Sequence, residues 1–215
     1  MPLTDAEIDQ LKETVLMLNR FKGMPHFEWM EEIVSKIEDA FLLKGNTESV
    51  ISFEQNPDLV GLTYITPIFD AIVHKRVLKI TYKSFKRDTP SEYEMHPYFL
   101  KQYNNRWFLF GLTTERNQIT NLPLDRIENI EILDAAYIDK DEDLDIEDYF
   151  YDVIGVTIEN APKTELTLEF SKERYPYVKN KPIHHSQRNY DDEKRVIIKV
   201  IPNNELYQTL LSFGG

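Results

Sequence analysis

The residues of this chain best able to do chemistry are cations set among aromatic rings. From Lys75 to Arg87 the sequence reads KRVLKITYKSFKR, with six positive side chains before the first acid, Asp88. On an extended backbone Lys79, Thr81 and Lys83 project to one side, while Leu78, Ile80, Tyr82 and Ser84 project to the other. A solvated strand face accounts for such lysines. The aromatic company of Tyr82, Phe85, Tyr93, Tyr98, Tyr103 and Trp107 adds a second reading, because basic grooves lined with rings hold phosphates and stack bases. Arg126 is the sharpest single candidate. Its planar guanidinium suits a phosphate bidentately, and the competing reading is an internal ion pair with Asp125 or a neighbouring acid. His96 precedes Pro97, which holds it extended, so it is placed to donate to a ligand from the rim of a sheet. A structural histidine is the plainer alternative. His184 and His185 are adjacent, and in a strand their rings would diverge, which argues against a shared metal.

Catalytic signatures are missing. The chain has no G-x-S-x-G elbow, H-E-x-x-H pair, G-x-x-x-x-G-K-[ST] loop or Rossmann fingerprint, and only seven glycines from which to build a phosphate loop. Its aspartates gather in IDKDEDLDIEDY, residues 138–149, where water keeps carboxylates ordinary. That run lacks the glycine and ligand spacing of an EF-hand and reads as a solvated linker. We therefore expect no catalytic residues, no metal and no cofactor. With no cysteine, disulfides and thiolate metal sites are excluded. A net charge of −12 opposes any protein that coats nucleic acid with its whole surface, so such contact must use a local basic site. The acidic N-terminus and the lack of a long apolar run point to a soluble, cytoplasmic protein.

These residues need elements to position them. Thr4 and Glu7 form a capping box with Leu3 as a staple, and Ile8, Leu11, Val15 and Leu18 recur at helical spacing to about Arg20. Gly23 and Pro25 break the pattern, and Trp29, Ile33, Ile37 and Phe41 carry a second helix to about Gly45. Leu16, Met17 and Phe41 leave apolar surface, for the chain's own sheet or for a homodimer. Val50–Phe53 alternates weakly as a strand, Asn56-Pro57-Asp58 turns, and Thr66-Pro67 reads as the N-cap and first residue of a short helix through His74. Strands follow at Leu78–Ser84, at Glu92–His96 closed by Pro97, and at Tyr98–Tyr103. An Asn104-Asn105 turn then leads into Arg106–Phe110, buried on both faces, before strands at Leu122–Leu124 and Ile127–Leu133. Short strands without intervening helices are the sequence form of a small antiparallel barrel. Beyond the acidic run, strands at Glu165–Phe170 and Lys194–Ile201 and a helix capped by Asn203 or Asn204 make a small α+β unit, its helix burying Leu206, Leu210 and Phe213.

Trp107-Phe108-Leu109, followed after a loop by Leu124-Asp125-Arg126-Ile127, resembles the WYL domain family, and Ile80-Thr81-Tyr82 and His96-Pro97 extend the likeness upstream in the same order. The resemblance implies an Sm-like barrel over the WYL segment and a partial C-terminal α+β extension. It gives an α+β chain organised as a helical region at 1–66, a WYL domain at 67–136, an acidic linker at 137–162 and the extension at 163–215. Such an extension would be expected to continue by at least one strand, as though the chain were a fragment. In the family the arginine matching Arg126 belongs to a basic pocket for nucleic-acid-like or nucleotide ligands. Thr120 and Pro123 stand where many members carry further arginines, which leaves Arg116 or Lys83 to supply a second cation. The expected ligand-binding set is Tyr82, Lys83, Ser84, His96, Trp107, Arg116 and Arg126. The implied function is the effector-sensing part of a bacterial transcriptional regulator, reaching DNA only through a helix-turn-helix for which this chain has no candidate. An enzyme acting on nucleotides or nucleic acid, with His96 as acid-base, and a structural dimerisation module are the alternatives.

Overall fold

The computed structural model describes residues 4–18, 28–41 and 59–214. The expectations for the Leu3 staple, the Gly23–Pro25 break, the helix ends near Arg20 and Gly45, the Val50–Phe53 strand and the Asn56-Pro57-Asp58 turn lie outside the described residues, as do the side chains of Leu16, Met17 and Trp29. The chain divides into two compact units, Met1–Ile138 and Asp139–Gly215.

In the first unit the capping box forms as its spacing requires. Thr4 N–H donates to the Glu7 carboxylate at 2.7 Å and Glu7 N–H donates to Thr4 Oγ1 at 3.4 Å, opening helix α1 (Asp5–Leu18). Helix α2 (Glu28–Ala40) follows and lies against α1. Val34 is buried, whereas Ile33 and Phe41, expected on the apolar face, are exposed. Helix α3 (Ile65–Val73) is entered from a 3-10 turn at Leu62–Tyr64, so Tyr64 is the N-cap and Thr66 and Pro67 lie inside the first turn, not at its start. Pro67 is tolerated there because first-turn N–H groups have no intrahelical acceptor.

Five strands follow: β1 (Val77–Tyr82), β2 (Ser91–Tyr103), β3 (Arg106–Thr113), β4 (Gln118–Pro123) and β5 (Ile127–Leu133), paired antiparallel in the order β4-β3-β2-β1-β5. The Asn104-Asn105 turn adopts positive φ at both residues, as a two-residue hairpin with right-twisted strands demands. Pro97 does not close a strand. β2 runs straight through it, with a one-residue shift of register between Pro97 and Phe99, and the β1 ladder ends at Met95, so no partner awaits the missing proline N–H. β4 begins at Gln118, within the stretch read as loop, because Thr120 and Ile119 pair with Gly111 and Leu112.

One face of the sheet and α3 enclose Ile65, Ile68, Ala71, Leu78, Ile80, Tyr82, Met95, Leu109, Leu122, Leu124 and Ile127. Each aliphatic side chain taken fully out of water there stabilises the fold by about 1.5–3 kcal/mol. The other face buries Phe99 stacked on Phe110, ring centroids 4.7 Å apart. β4 and β5 are opposite edges, yet only Leu124–Arg126 separates them in sequence. Four residue steps reach at most about 14 Å, so the sheet must curl until its edges approach across this turn. No ladder joins β4 to β5, so the sheet is open and the barrel expected from sequence is not closed.

The second unit contains α4 (Ile146–Tyr149), β6 (Thr164–Glu169), α5 (Tyr175–Asn180), β7 (Arg188–Tyr190), β8 (Arg195–Val200) and α6 (Asn204–Leu211). Its sheet has the antiparallel order β6-β8-β7. α5 and β7 had no sequence signal strong enough to mark them: one is a six-residue helix and the other a three-residue edge strand. Asn203, not Asn204, caps α6. Its Oδ1 accepts from Leu206 N–H at 2.8 Å and its Nδ2 donates to the carbonyls of Ile154 and Thr157, both at 2.8 Å. That side chain ties the approach to β6 onto the helix and lets Ile154, Ile198, Val200 and Leu206 pack together. The molecule is thus mixed α+β. No helix among the described residues is long and apolar enough to cross a membrane.

Candidate functional site

The turn Leu124-Asp125-Arg126 is a single 3-10 turn held from three sides. Gly61 has φ 89°, and a Cβ there would meet Leu124 O at 2.2 Å, so only glycine permits the α3 approach to pack this closely. Tyr64 hydroxyl donates to Glu128 O at 2.7 Å, and Lys83 N–H donates to Arg126 O at 2.9 Å. Asp125 takes Arg106 as its partner at 2.5 Å, with only 16% of the Asp125 side chain exposed. The Asp125–Arg126 pair, the competing reading for Arg126, does not form, since Asp125 takes Arg106 instead.

Among the described residues Arg126 therefore has no ion pair. Its Nη1 reaches Tyr82 hydroxyl at 3.5 Å, beyond good hydrogen-bond range, and its Nε is buried without a partner. The guanidinium lies 4.2 Å from the centroid of Phe85, an exposed ring in the β1–β2 loop. Tyr82 packs edge-on to Tyr93 at 6.1 Å, and Arg116 lies 5.6 Å from the Tyr93 ring. Phe85, Arg126, Tyr82, Tyr93 and Arg116 so form a row of three rings and two cations, with Tyr82 and Tyr93 adjacent. Burial raises the Tyr82 hydroxyl pKa, and the Arg126 guanidinium opposes part of that rise. Asp125 Oδ1 is also buried without a partner, so the turn holds one unmet acceptor beside one unmet donor.

The remaining sequence candidates are distributed elsewhere. Lys83 Nζ donates to Asp88 O at 2.5 Å and Ser84 Oγ accepts from Lys86 N–H at 3.2 Å, so both shape the β1–β2 loop. Lys79 is paired with Glu92 at 2.9 Å, which partly neutralises the basic strand face. Trp107 packs half-buried against the sheet core, next to the Arg106 that grips Asp125. His96 is 2% exposed on the opposite face of the sheet from Tyr82. Ser91 pairs with Tyr82, so His96 lies five residues, about 16 Å, further along β2. Its Nδ1 accepts from Ile138 N–H at 3.1 Å, its ring packs edge-on to Tyr137 at 5.7 Å, and burial lowers its pKa. This is an anchoring histidine.

The sequence reading did not select Tyr93, Phe85 or Arg106 as part of the site. Phe85 and Tyr93 were visible as rings near cations, but only the fold shows which cation each meets. The expectation for His184 and His185 is corrected: they sit in a turn rather than a strand, and their ring centroids are 3.9 Å apart. Among the described residues no three His, Asp or Glu side chains are grouped to hold a metal ion.

Residues 63–132 match the family model of the WYL domain. This segment of the chain is a WYL domain. Among solved structures the chain is similar to proteasome accessory factor B/C (PafBC) of Arthrobacter aurescens, at 15% identity and a TM-score of 0.37, covering 96% of this chain and 32% of that one. The chain thus spans about a third of that protein's length, and a likeness this distant carries no argument. No curated protein matches the chain.

Proposed function

We propose that this chain is the effector-sensing portion of a WYL-domain transcriptional regulator. The ligand is nucleic-acid-like or a nucleotide, and it binds along the row from Phe85 to Arg116. The reading rests above all on Arg126, a half-buried cation with no ion pair and an unmet Nε among the described residues, in a protein with acids to spare. A charge kept so is costly unless an anion completes it. The company of three rings and two guanidinium groups supports a ligand with bases as well as phosphates. In this proposal residues 67–136 are the sensing domain, with an Sm-like curl. The protein is cytoplasmic and homodimeric, and occupancy shifts a population that is passed to a DNA-binding domain elsewhere in the regulator. No chemical turnover is required.

The test is binding of short single-stranded oligonucleotides, followed by tryptophan fluorescence across a salt titration. Affinity should fall with a log-log slope of about −0.7 per phosphate contacted, and Arg126→Ala should abolish binding. Equal binding by wild type and Arg126→Ala would remove Arg126 from the site, and no binding at low salt would exclude this ligand class.

A further inference from the structure

The second unit holds a basic cleft that the WYL reading does not use. Lys163, Arg188 and Lys199 line an opening of ≈ 370 Å³ together with Tyr151, His185, Ser186 and a single acid, Glu165. The strand register explains why these residues meet. Lys199 stands directly across from Glu165 and one diagonal from Arg188, whose partner is Ile197, and all three share the sheet face away from Ile198 and Val200. Diagonal neighbours on one face are within reach of long side chains. Lys163 precedes β6 on the same side, pairs with Asp152, and lies 5.8 Å from the Tyr151 ring. Neither Arg188 nor Lys199 has an ion pair among the described residues. The three cations stand beside two acids, Glu165 and the Asp152 that pairs with Lys163, which leaves Arg188 and Lys199 with an excess positive charge that an anion relieves.

The aromatic wall is pre-set. His184 is 7% exposed, and both its nitrogens are occupied, Nε2 donating to Tyr151 O at 3.0 Å and Nδ1 accepting from Ser186 N–H at 3.2 Å. Ser186 Oγ in turn accepts from Lys199 N–H at 2.9 Å. The turn is so stitched to β8 that the exposed His185 ring is held 3.8 Å from Tyr151. A cleft of this volume is at the lower end of small-ligand sites.

We propose that this face is a binding site for a mononucleotide, its phosphate held by Arg188 and Lys199 and its base stacked on the Tyr151–His185 pair. The phosphate lies on the Arg188 side of Lys199, because Glu165 flanks the other. The site is separate from Arg126 and does not depend on it.

Amide NMR shifts of the whole chain, titrated with AMP and in parallel with inorganic phosphate, test this. AMP is expected to shift the amides of Lys163, His185, Ser186, Arg188 and Lys199, with inorganic phosphate at least tenfold weaker. Arg188→Gln with Lys199→Gln should weaken AMP binding at least tenfold, since two charge-assisted contacts are lost. Glu165→Gln should tighten it, a gain that misfolding cannot produce. In Arg126→Ala the AMP-induced shifts of these five amides should be unchanged. The proposal is overturned if AMP shifts nothing at millimolar concentration, if phosphate binds as tightly as AMP, or if the double variant binds like wild type. If the shifts of these five amides are lost with Arg126→Ala alone, this site falls while the WYL reading stands.

Discussion

Arg126 and His184 are both polar side chains carried on turns beside a small antiparallel sheet, and their surroundings treat them oppositely. His184 has every hydrogen-bonding atom occupied, by a carbonyl of Tyr151 and by Ser186, and the outcome is a fixed turn. Arg126 is left with an unmet Nε, a long contact to Tyr82 and a ring beneath it. An unsatisfied buried donor costs about 1–3 kcal/mol, a cost that a ligand offsets in the proposed function, whereas the satisfied histidine holds the fold. The same contrast separates His96, anchored by Ile138 N–H, from the row it was expected to join.

That comparison can be broken by substitution, starting where the effect is greatest. Gly61→Ala forces a Cβ to 2.2 Å from Leu124 O at a positive φ. It should cost roughly 3 kcal/mol or more, measured by urea unfolding, and displace the Arg126 turn. Asn203→Ala removes a cap and two carbonyl contacts. A loss of about 2–3 kcal/mol should appear in the amide-exchange protection of the second unit, with the WYL sheet untouched. Loss of protection in both units would show that the two do not respond independently.

The histidines sharpen the contrast by pH. Burial and the neighbouring His185 hold the His184 pKa below its ordinary value, and burial lowers that of His96. Between the unfolded pKa, about 6.5, and those lower folded values, the unfolded chain binds more protons than the native one. Stability is therefore full above that pH and falls as pH drops. Unfolding midpoints measured at pH 7.5 and 5.5 should converge in His184→Gln relative to wild type. A steeper dependence in the variant would contradict a satisfied, neutral His184. Arg126→Ala is expected to have the smallest effect on stability, within about 1 kcal/mol, because no ion pair is lost. A large loss in thermal unfolding would make Arg126 a structural residue like the histidines.

Local chemistry was legible without coordinates wherever it acts over a few residues. The Thr4–Glu7 box, the Asn104-Asn105 hairpin, the alternation of β1, the Leu124–Ile127 signature and a cap at the start of α6 all depend on neighbours in the chain. Pro97 was misread because a bulge, which needs a partner strand, absorbs a residue that in isolation ends one. α5 and β7 were too short to show a period. What only the tertiary structure decided were the long-range pairings: Arg106 rather than Arg126 for Asp125, Glu92 for Lys79, Phe85 under Arg126, and His96 on the far face. Those depend on strand register and on the curl forced by a three-residue link between opposite sheet edges. Side-chain type sets what a residue can bind, but the distance to a partner 19 or 44 residues away is set only when the whole sheet has closed upon its core.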